Sequence, residues 1–167
     1  MVLNSGGSLG DWKEVVKDTV LNEVELDKRK IYVIKAKGPG GNVGKPGEAV
    51  RRLLEERGGK IKLVIMIDAA LKLEGERIGS IAEGVGAAIG GIGVDKYKIE
   101  EVTTKFKVPL LAIVIKESLL NAVAAMRKEI YSSVDEVVSR IRRAILDRTK
   151  EGDEIIVVGV GNSIGVM

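Results

Sequence analysis

Runs of apolar residues and segments of helical periodicity alternate along this chain. Four apolar runs, each bounded by glycine, proline or charged residues, predict strands. They are Lys30–Ala36, Ile61–Ile67, Leu110–Ile115 and Glu154–Val158. Nearly continuous aliphatic strands are typical of parallel sheets that helices cover on both faces. We therefore expect an α/β fold, a three-layer Rossmann-like domain with a mainly parallel sheet of at least four strands.

Apolar residues spaced three or four apart predict the helices. One helix is expected over Asp11–Val24, where Trp12 and several valines share this spacing. Further helices are predicted after Pro46, around Ile99–Phe106, over Leu119–Ile130 and from Ser133 onward. The last of these begins with Ser-Val-Asp-Glu, which indicates a capping box.

Two strand orders remain open. With the four predicted strands numbered along the chain, the order 3-2-1-4 would place the segments after the first and last strands side by side. The order 2-1-3-4 would instead place Lys116 and Glu117 beside the segment after the first strand. In both cases the carboxyl ends of the strands form one edge, which is where open α/β sheets bind ligands.

The composition fits a single globular domain over residues 11–167, after a flexible tail at residues 1–10. The chain is 45% hydrophobic and 31% charged, which excludes a disordered protein. No continuous apolar stretch reaches the roughly 18 to 20 residues of a membrane helix, and no basic segment with an apolar core opens the chain. We therefore expect a cytoplasmic domain without a membrane span in this chain. Abundant Lys, Glu and Arg without any Gln favour a thermophilic source.

The absence of Cys and His removes several chemistries at once. Disulfides, thiolate nucleophiles, Ser-His-Asp triads and the usual zinc sites are all excluded. The net charge of +3 comes from interleaved acids and bases, and one Trp, three Tyr and one Phe provide no stacking platform. We therefore expect no nucleic-acid partner.

A glycine-rich segment follows the first predicted strand and precedes a helix, as in many anion sites of α/β proteins. It is not a Walker A motif, because Pro39 occupies the position of its first glycine and Pro46 replaces its hydroxyl residue. It is not a dinucleotide fingerprint either, because Val43 replaces the third glycine. Lys45 would supply a counter-charge, and Pro46 suits the first helical position. The predicted ligand-binding residues here are Gly38, Gly40, Gly41, Asn42, Gly44 and Lys45. The alternative is a tight turn without a ligand.

A second glycine-rich segment, at residues 159–165, repeats the same glycine spacing after the last predicted strand. Its backbone donors and small polar side chains predict a second part of the same ligand site. The residues concerned are Gly159, Gly161, Asn162 and Ser163. The alternative is a flexible C-terminus.

Acidic residues are also predicted at the carboxyl edge. Asp68 follows Gly44 by 24 positions, close to the roughly 20 residues that separate a glycine loop from a ribose-binding acid. With Glu74, Glu76 and Glu83 it could instead hold Mg²⁺ through oxygen ligands. Lys116 and Glu117 end the third predicted strand at the same edge. The alternative is that Asp68 caps a turn and the glutamates are solvated.

The stretch from Ile81 to Gly93 is rich in glycine, alanine and isoleucine. It predicts either close packing, including packing across a homo-oligomer interface, or a mobile flap over the edge. Its apolar residues are expected to be buried, within the chain or by a second copy. They are Ile81, Val85, Ala88, Ile89 and Ile92.

Five strings together resemble an archaeal family of uncharacterised conserved proteins, classified as a domain of unknown function. They are GPGGNVGKPGEA, IDAALKLEGE, AEGVGAAIGG, the pair Lys116-Glu117, and VVGVGNSIGV. The resemblance runs from about Ile31 to the C-terminus and implies the soluble C-terminal domain of a longer, membrane-tethered parent. It implies no activity and no catalytic residue.

The sequence therefore predicts a binding module for a nucleotide or another phosphorylated small molecule. One alternative is a Mg²⁺-dependent enzyme that acts on a phosphoryl substrate, with Asp68, Glu74, Glu76 or Glu117 as ligands or base. Another is an oligomerising structural domain without a ligand.

Overall fold

A computed structural model describes residues 11–38, 43–86, 94–118 and 128–160. Within these ranges the chain forms one mixed sheet with the strand order β1-β2-β3-β7-β4-β6-β5. The strands are β1 Lys13–Val16, β2 Thr19–Leu26, β3 Arg29–Ala36, β4 Ile61–Leu71, β5 Ile81–Val85, β6 Leu110–Glu117 and β7 Glu154–Gly159.

Helices cover both faces of the central strands. Their bounds are α1 Pro46–Arg57, with a 3₁₀ turn at Gly58–Lys60, α2 Val94–Phe106, α3 Lys128–Ser132 and α4 Val134–Arg148. One apolar core joins α1 and α2 to the sheet, and a second core joins α4 to the opposite face. Burial of apolar surface on both faces stabilises the sheet, which explains why its central strands are almost entirely aliphatic.

The expected mainly parallel, three-layer Rossmann-like sheet is wrong. The pairings β3–β7, β7–β4 and β4–β6 are parallel, but β1–β2, β2–β3 and β5–β6 are antiparallel. The four strands predicted from the sequence are adjacent and mutually parallel. The error arose because the strands at both sides of this central group were not predicted.

Both expected strand orders are also wrong, because β7 lies between β3 and β4. After β6 the chain forms α4 on the face of the sheet opposite to α1 and α2. It then passes over β4 and re-enters the sheet as β7, between β3 and β4. As in the order 3-2-1-4, the strands before the two glycine-rich segments are neighbours.

The helix predicted over Asp11–Val24 is a β-hairpin formed by β1 and β2, and β2 forms a second hairpin with β3. Val20 and Val24 are both buried, and a spacing of four places two residues on the same face of a strand as well as of a helix. Asp18 has a φ of 58°, a left-handed conformation that suits the turn between β1 and β2. The β-branched valines favour the strand.

Two element boundaries differ from the prediction and affect the site, and one predicted helix cap is not formed. β4 continues to Leu71, so Asp68 lies inside the strand, and β6 includes Lys116 and Glu117. The helix after Ser133 is present, but the capping box is not formed, because the Ser133 hydroxyl donates to the carbonyl of Ile130 at 2.6 Å. Residues 119–127 lie outside the described ranges.

A pair of Leu→Ala substitutions tests the core on the α1 face. Leu54 of α1 is fully buried, so Leu54→Ala is expected to lower the free energy of unfolding by about 2–5 kcal/mol. Leu146 of α4 is 42% exposed, and Leu146→Ala should cost less than half as much. Urea unfolding monitored by circular dichroism measures both changes. Equal losses would contradict the assignment of the core.

Candidate functional site

The carboxyl ends of four adjacent strands form one edge of the sheet. In the order β3, β7, β4 and β6, the edge carries Gly38 just after β3, Gly159 at the end of β7, Asp68 on β4 and Glu117 on β6. The amide of Val160 donates to the carbonyl of Ile67 at 2.9 Å. The second glycine-rich segment therefore begins beside the backbone that presents Asp68.

The connections that follow β4 and β6 lead to opposite faces of the sheet. After β4 the chain adds β5 and continues into α2 on one face, whereas after β6 it leads to α4 on the other. Such a divergence between adjacent parallel strands marks a topological switch point, which is the usual ligand position in open α/β sheets. Asp68 and Glu117 lie on these two strands.

Asp68 forms a buried ion pair with Lys96 in the first turn of α2. The Nζ atom of Lys96 lies 2.5 Å from Oδ2 of Asp68, and both residues are at most 9% exposed. Oδ1 of Asp68 accepts from the amide of Ala69 at 2.7 Å. Burial raises the pKa of Asp68, and the hydrogen bond and charge of Lys96 oppose that shift.

Lys96 was not predicted as a site residue, although the sequence contains a signal for it. It precedes Ile99 and Thr103 at spacings of three and seven, and all three are buried on one side of α2. A lysine within such a stripe must find a partner, because an unpaired buried charge is costly. The partner, Asp68, is distant in sequence.

Glu117 is a second carboxyl group of this edge with a perturbed pKa. Partial burial raises the pKa of Glu117, and the negative charge of Asp68 raises it further. Proton-binding groups with shifted pKa values at a strand edge are typical of functional sites. The structure therefore places Asp68 in contact with Lys96, and it places Glu117 on the neighbouring strand, close enough for the charge of Asp68 to affect its pKa.

Lys116 and Glu76 have a structural role next to these residues. The Nζ atom of Lys116 lies 3.4 Å from a carboxylate oxygen of Glu76, which also accepts from the amide of Leu73 at 2.7 Å. The amide of Gly79 donates to the carbonyl of Lys116 at 2.8 Å. These contacts hold the β4–β5 connection across the end of β6.

The turn before α1 is tightly packed. Gly44 has a φ of 61°, and a Cβ atom there would lie 2.5 Å from the carbonyl oxygen of Asp18. The amide of Lys45 donates to the hydroxyl of Thr19 at 2.7 Å, and the amide of Gly47 donates to the carboxylate of Asp95 at 3.2 Å. Two donors at the start of α1 are therefore engaged within the protein. Pro46 occupies the first turn of α1, as predicted.

Several predicted ligand residues lie outside the described ranges. They are Gly40, Gly41 and Asn42 in the first glycine-rich segment, and Gly161, Asn162 and Ser163 in the second. Among the predicted residues that the structure describes, Gly38 and Lys45 are exposed and Gly159 is half-buried. Lys116 and Glu117 lie on β6, which β7 and β4 separate from β3, so they are not beside the first segment.

The expected Mg²⁺ ligands do not form one group. The carboxylate of Asp68 contacts Lys96, and that of Glu76 contacts Lys116. Glu74 is exposed in a turn, and the carboxylate of Glu83 contacts Arg140 and Arg143. Within the ranges that the structure describes, no three His, Cys, Asp or Glu residues are arranged to hold a metal ion.

A cavity of about 220 Å³ lies between α1 and α2, beginning at Gly47. Arg51, Lys98 and Lys105 give it three cationic side chains, and Glu48 and Glu101 give it two acidic ones. It was not predicted, because its residues lie on two helices that are distant in sequence. Arg51 is ion-paired with Glu48 and Glu55, so the cationic character of this cavity depends on Lys98 and Lys105.

The glycine-rich stretch after Ile81 is only partly described. Ile81 is half-buried and packs against the core on the α4 side, whereas Val85 is 76% exposed. Ala88, Ile89 and Ile92 lie outside the described ranges. None of the helices within the described residues is long and apolar enough to span a membrane.

Two Glu→Gln substitutions should change stability with opposite dependence on pH. A raised pKa means that folded Glu117 binds its proton more tightly than the unfolded chain, so stability falls as pH rises from about 4.5 through the raised value. Glu117→Gln removes that loss. We expect the melting temperature of Glu117→Gln minus that of the wild type to be more positive at pH 7 than at pH 4.

Glu154 is the matched control. Its carboxylate accepts two hydrogen bonds from Arg57, at 2.7 and 2.8 Å, and these bonds lower its pKa. Its contribution is present above about pH 4.5 and is lost as pH falls through the lowered value. Glu154→Gln should therefore cost about 1–3 kcal/mol at pH 7 and less at low pH, as measured by thermal unfolding. Parallel pH curves for the two variants would contradict the opposite pKa shifts of Glu117 and Glu154.

A family model described as Domain of unknown function (DUF1512) C-terminal matches residues 2–167. No curated protein and no solved structure matches the chain.

Proposed function

The chain belongs to this family of C-terminal domains of unknown function, and we propose that it binds a phosphorylated small molecule, such as a nucleotide, at the carboxyl edge of its parallel strands. The phosphate would lie between the two glycine-rich segments, with Lys45 as counter-charge. Asp68 would accept a hydrogen bond from a hydroxyl group of the ligand.

One observation carries this proposal: β3 and β7 are adjacent, parallel and in register. Ile34 is paired with Val158, so the two strands end at the same level of the sheet. Each strand runs into a segment with the same glycine spacing. Glycine allows a phosphate to approach the backbone without a Cβ atom in the way, and two such segments provide more amide donors than one.

The charges of the described residues are compatible with such a ligand. Lys45 is exposed immediately before α1, whose N-terminal dipole favours a negative charge by about 0.3–1 kcal/mol. The amide of Gly47 is engaged by Asp95, so the helix end alone would provide little affinity. Tight binding therefore requires the glycine-rich segments. Asp68 lies on β4, which pairs with β7, and its carboxylate would exchange part of its contact with Lys96 for a contact with a more distant part of the ligand.

Thermal unfolding with ATP, ADP and pyrophosphate, each with and without Mg²⁺, tests the proposal. A ligand at about 100 times its dissociation constant stabilises the folded state by about 2.7 kcal/mol, which corresponds to several degrees of melting temperature. Lys45→Met should weaken the binding about tenfold, which is a loss of about 1.4 kcal/mol. If none of these compounds raises the melting temperature of the wild type, the proposal fails.

Two lysine variants locate the site. Lys60 is exposed just before β4, at the opposite edge of the sheet, so Lys60→Met should leave the affinity unchanged. Lys98 lines the cavity between α1 and α2, and a loss of affinity only in Lys98→Met would place the anion there instead. Asp68→Asn removes the carboxylate that pairs with buried Lys96, so it should lower the melting temperature of the ligand-free protein. Measured against that lower baseline, it should weaken ATP binding but not pyrophosphate binding, because pyrophosphate has no sugar hydroxyl.

A further inference from the structure

The two outer strands of the sheet differ in how they are protected from other strands. β1 has four residues, begins with Lys13, and has an irregular register between Glu14 and Val16. Short length, lysine and bulges are the usual means of preventing pairing at a sheet edge. β5 has the sequence Ile-Ala-Glu-Gly-Val, pairs regularly with β6, and contains neither lysine nor proline. Its edge therefore lacks the lysine and the bulge that protect β1.

The hydrogen bonds to β6 show which backbone groups of β5 face outward. The amide of Lys116 donates to the carbonyl of Ser80 at 2.8 Å, and the amide of Gly86 donates to that of Leu110 at 2.9 Å. Bonded pairs in an antiparallel ladder recur at every second residue, so even-numbered residues of β5 face β6. The residues whose amide and carbonyl groups face away from β6 are Ile81, Glu83 and Val85. Within the described ranges no strand pairs with this outer edge.

The side chains of the same three residues lie on the α4 face of the sheet. Ile81 packs against the core that includes α4. The carboxylate of Glu83 lies 3.3 Å from Arg143 and 3.7 Å from Arg140. Val85 leaves 76% of its surface exposed at the end of the strand.

We propose that a second copy of this chain pairs its β5 with this edge, antiparallel and across a two-fold axis at Glu83. In that register Ile81 lies opposite Val85 of the second copy, and Glu83 lies opposite Glu83. All the outward backbone groups are then used, because each opposed pair exchanges two N–H···O bonds. A two-fold axis requires the same residues from both copies, and β5 meets this requirement.

The side chains of β5 are complementary to themselves in this register. The order apolar, small, Glu, small, apolar is the same in both directions, so Ala82 meets Gly84 on one face. On the other face, Ile81 covers the exposed Val85. The two Glu83 carboxylates approach each other, and four guanidinium groups from Arg140 and Arg143 of both copies surround them. Four positive charges thus surround two negative ones, which offsets the repulsion between the two carboxylates.

This self-complementarity selects a second copy over an unrelated peptide as the occupant. A five-residue strand pair buries less than the about 1,600 Å² of a standard interface, so we expect a dimer that dissociates on dilution. The average mass of the wild type should therefore rise between micromolar and hundred-micromolar concentrations. Its upper limit is twice the 17.9 kDa of one chain.

Sedimentation velocity of Val85→Pro tests the pairing. Proline removes an amide that faces away from β6, so the fold should keep its melting temperature within a few degrees while the protein becomes monomeric. Val94 is 73% exposed at the first position of α2, where proline is tolerated, so Val94→Pro is the matched control and should remain dimeric. A dimer that persists in Val85→Pro would overturn the proposal.

Oxidative cross-linking tests the register independently, including the case in which Val85→Pro does not fold. The chain has no cysteine, so Glu83→Cys introduces one thiol per copy. Bonded antiparallel pairs are separated by about 5.5 Å between Cα atoms, within the range of disulfides. Glu83→Cys should form a covalent dimer, whereas Glu14→Cys on β1 should not. A wild type that stays monomeric at hundred-micromolar concentration, or a Glu83→Cys variant without cross-links, would overturn the proposal.

Discussion

The architecture depends on hydrogen bonding along both sides of β7. This strand pairs with β3 on one side and β4 on the other, so it joins the N-terminal hairpins to the rest of the sheet. Its side chains also alternate between the two cores. Ile156 and Val158 face α1 and α2, whereas Ile155 and Val157 face α4. A perturbation of β7 therefore affects both cores and both halves of the sheet.

The two edges of the parallel strands differ in electrostatics. At the amino edge, Glu154 is held by Arg57 and also accepts a hydrogen bond from Tyr32, which together favour its ionised form. At the carboxyl edge, burial opposes the ionised forms of Asp68 and Glu117. The first arrangement favours the ionised carboxylate, whereas burial at the second edge opposes ionisation and is offset at Asp68 by the charge of Lys96.

The sequence predicted the elements that are buried on both faces, because continuous aliphatic runs have few alternatives. The family resemblance is confirmed for the C-terminal domain of unknown function. The helix over Asp11–Val24 was wrong because its apolar spacing fits both periods, and β5 was missed because its sequence contains glycine. The pairing of Lys96 with Asp68 depends on how α2 lies across the sheet. A contact between residues that are distant in sequence cannot be read from the spacing of apolar residues along the chain.

The position of β7 also has a consequence for the order of events during protein synthesis. Tyr32 and Glu154, whose side chains are hydrogen-bonded, are 122 positions apart. At about 5–20 residues per second, the ribosome would need several seconds or more to make the intervening chain. During the later part of that time β3 and β4 have both been made, but the strand that lies between them has not. The centre of the sheet is therefore completed only when β7, the last of the described strands, has been made.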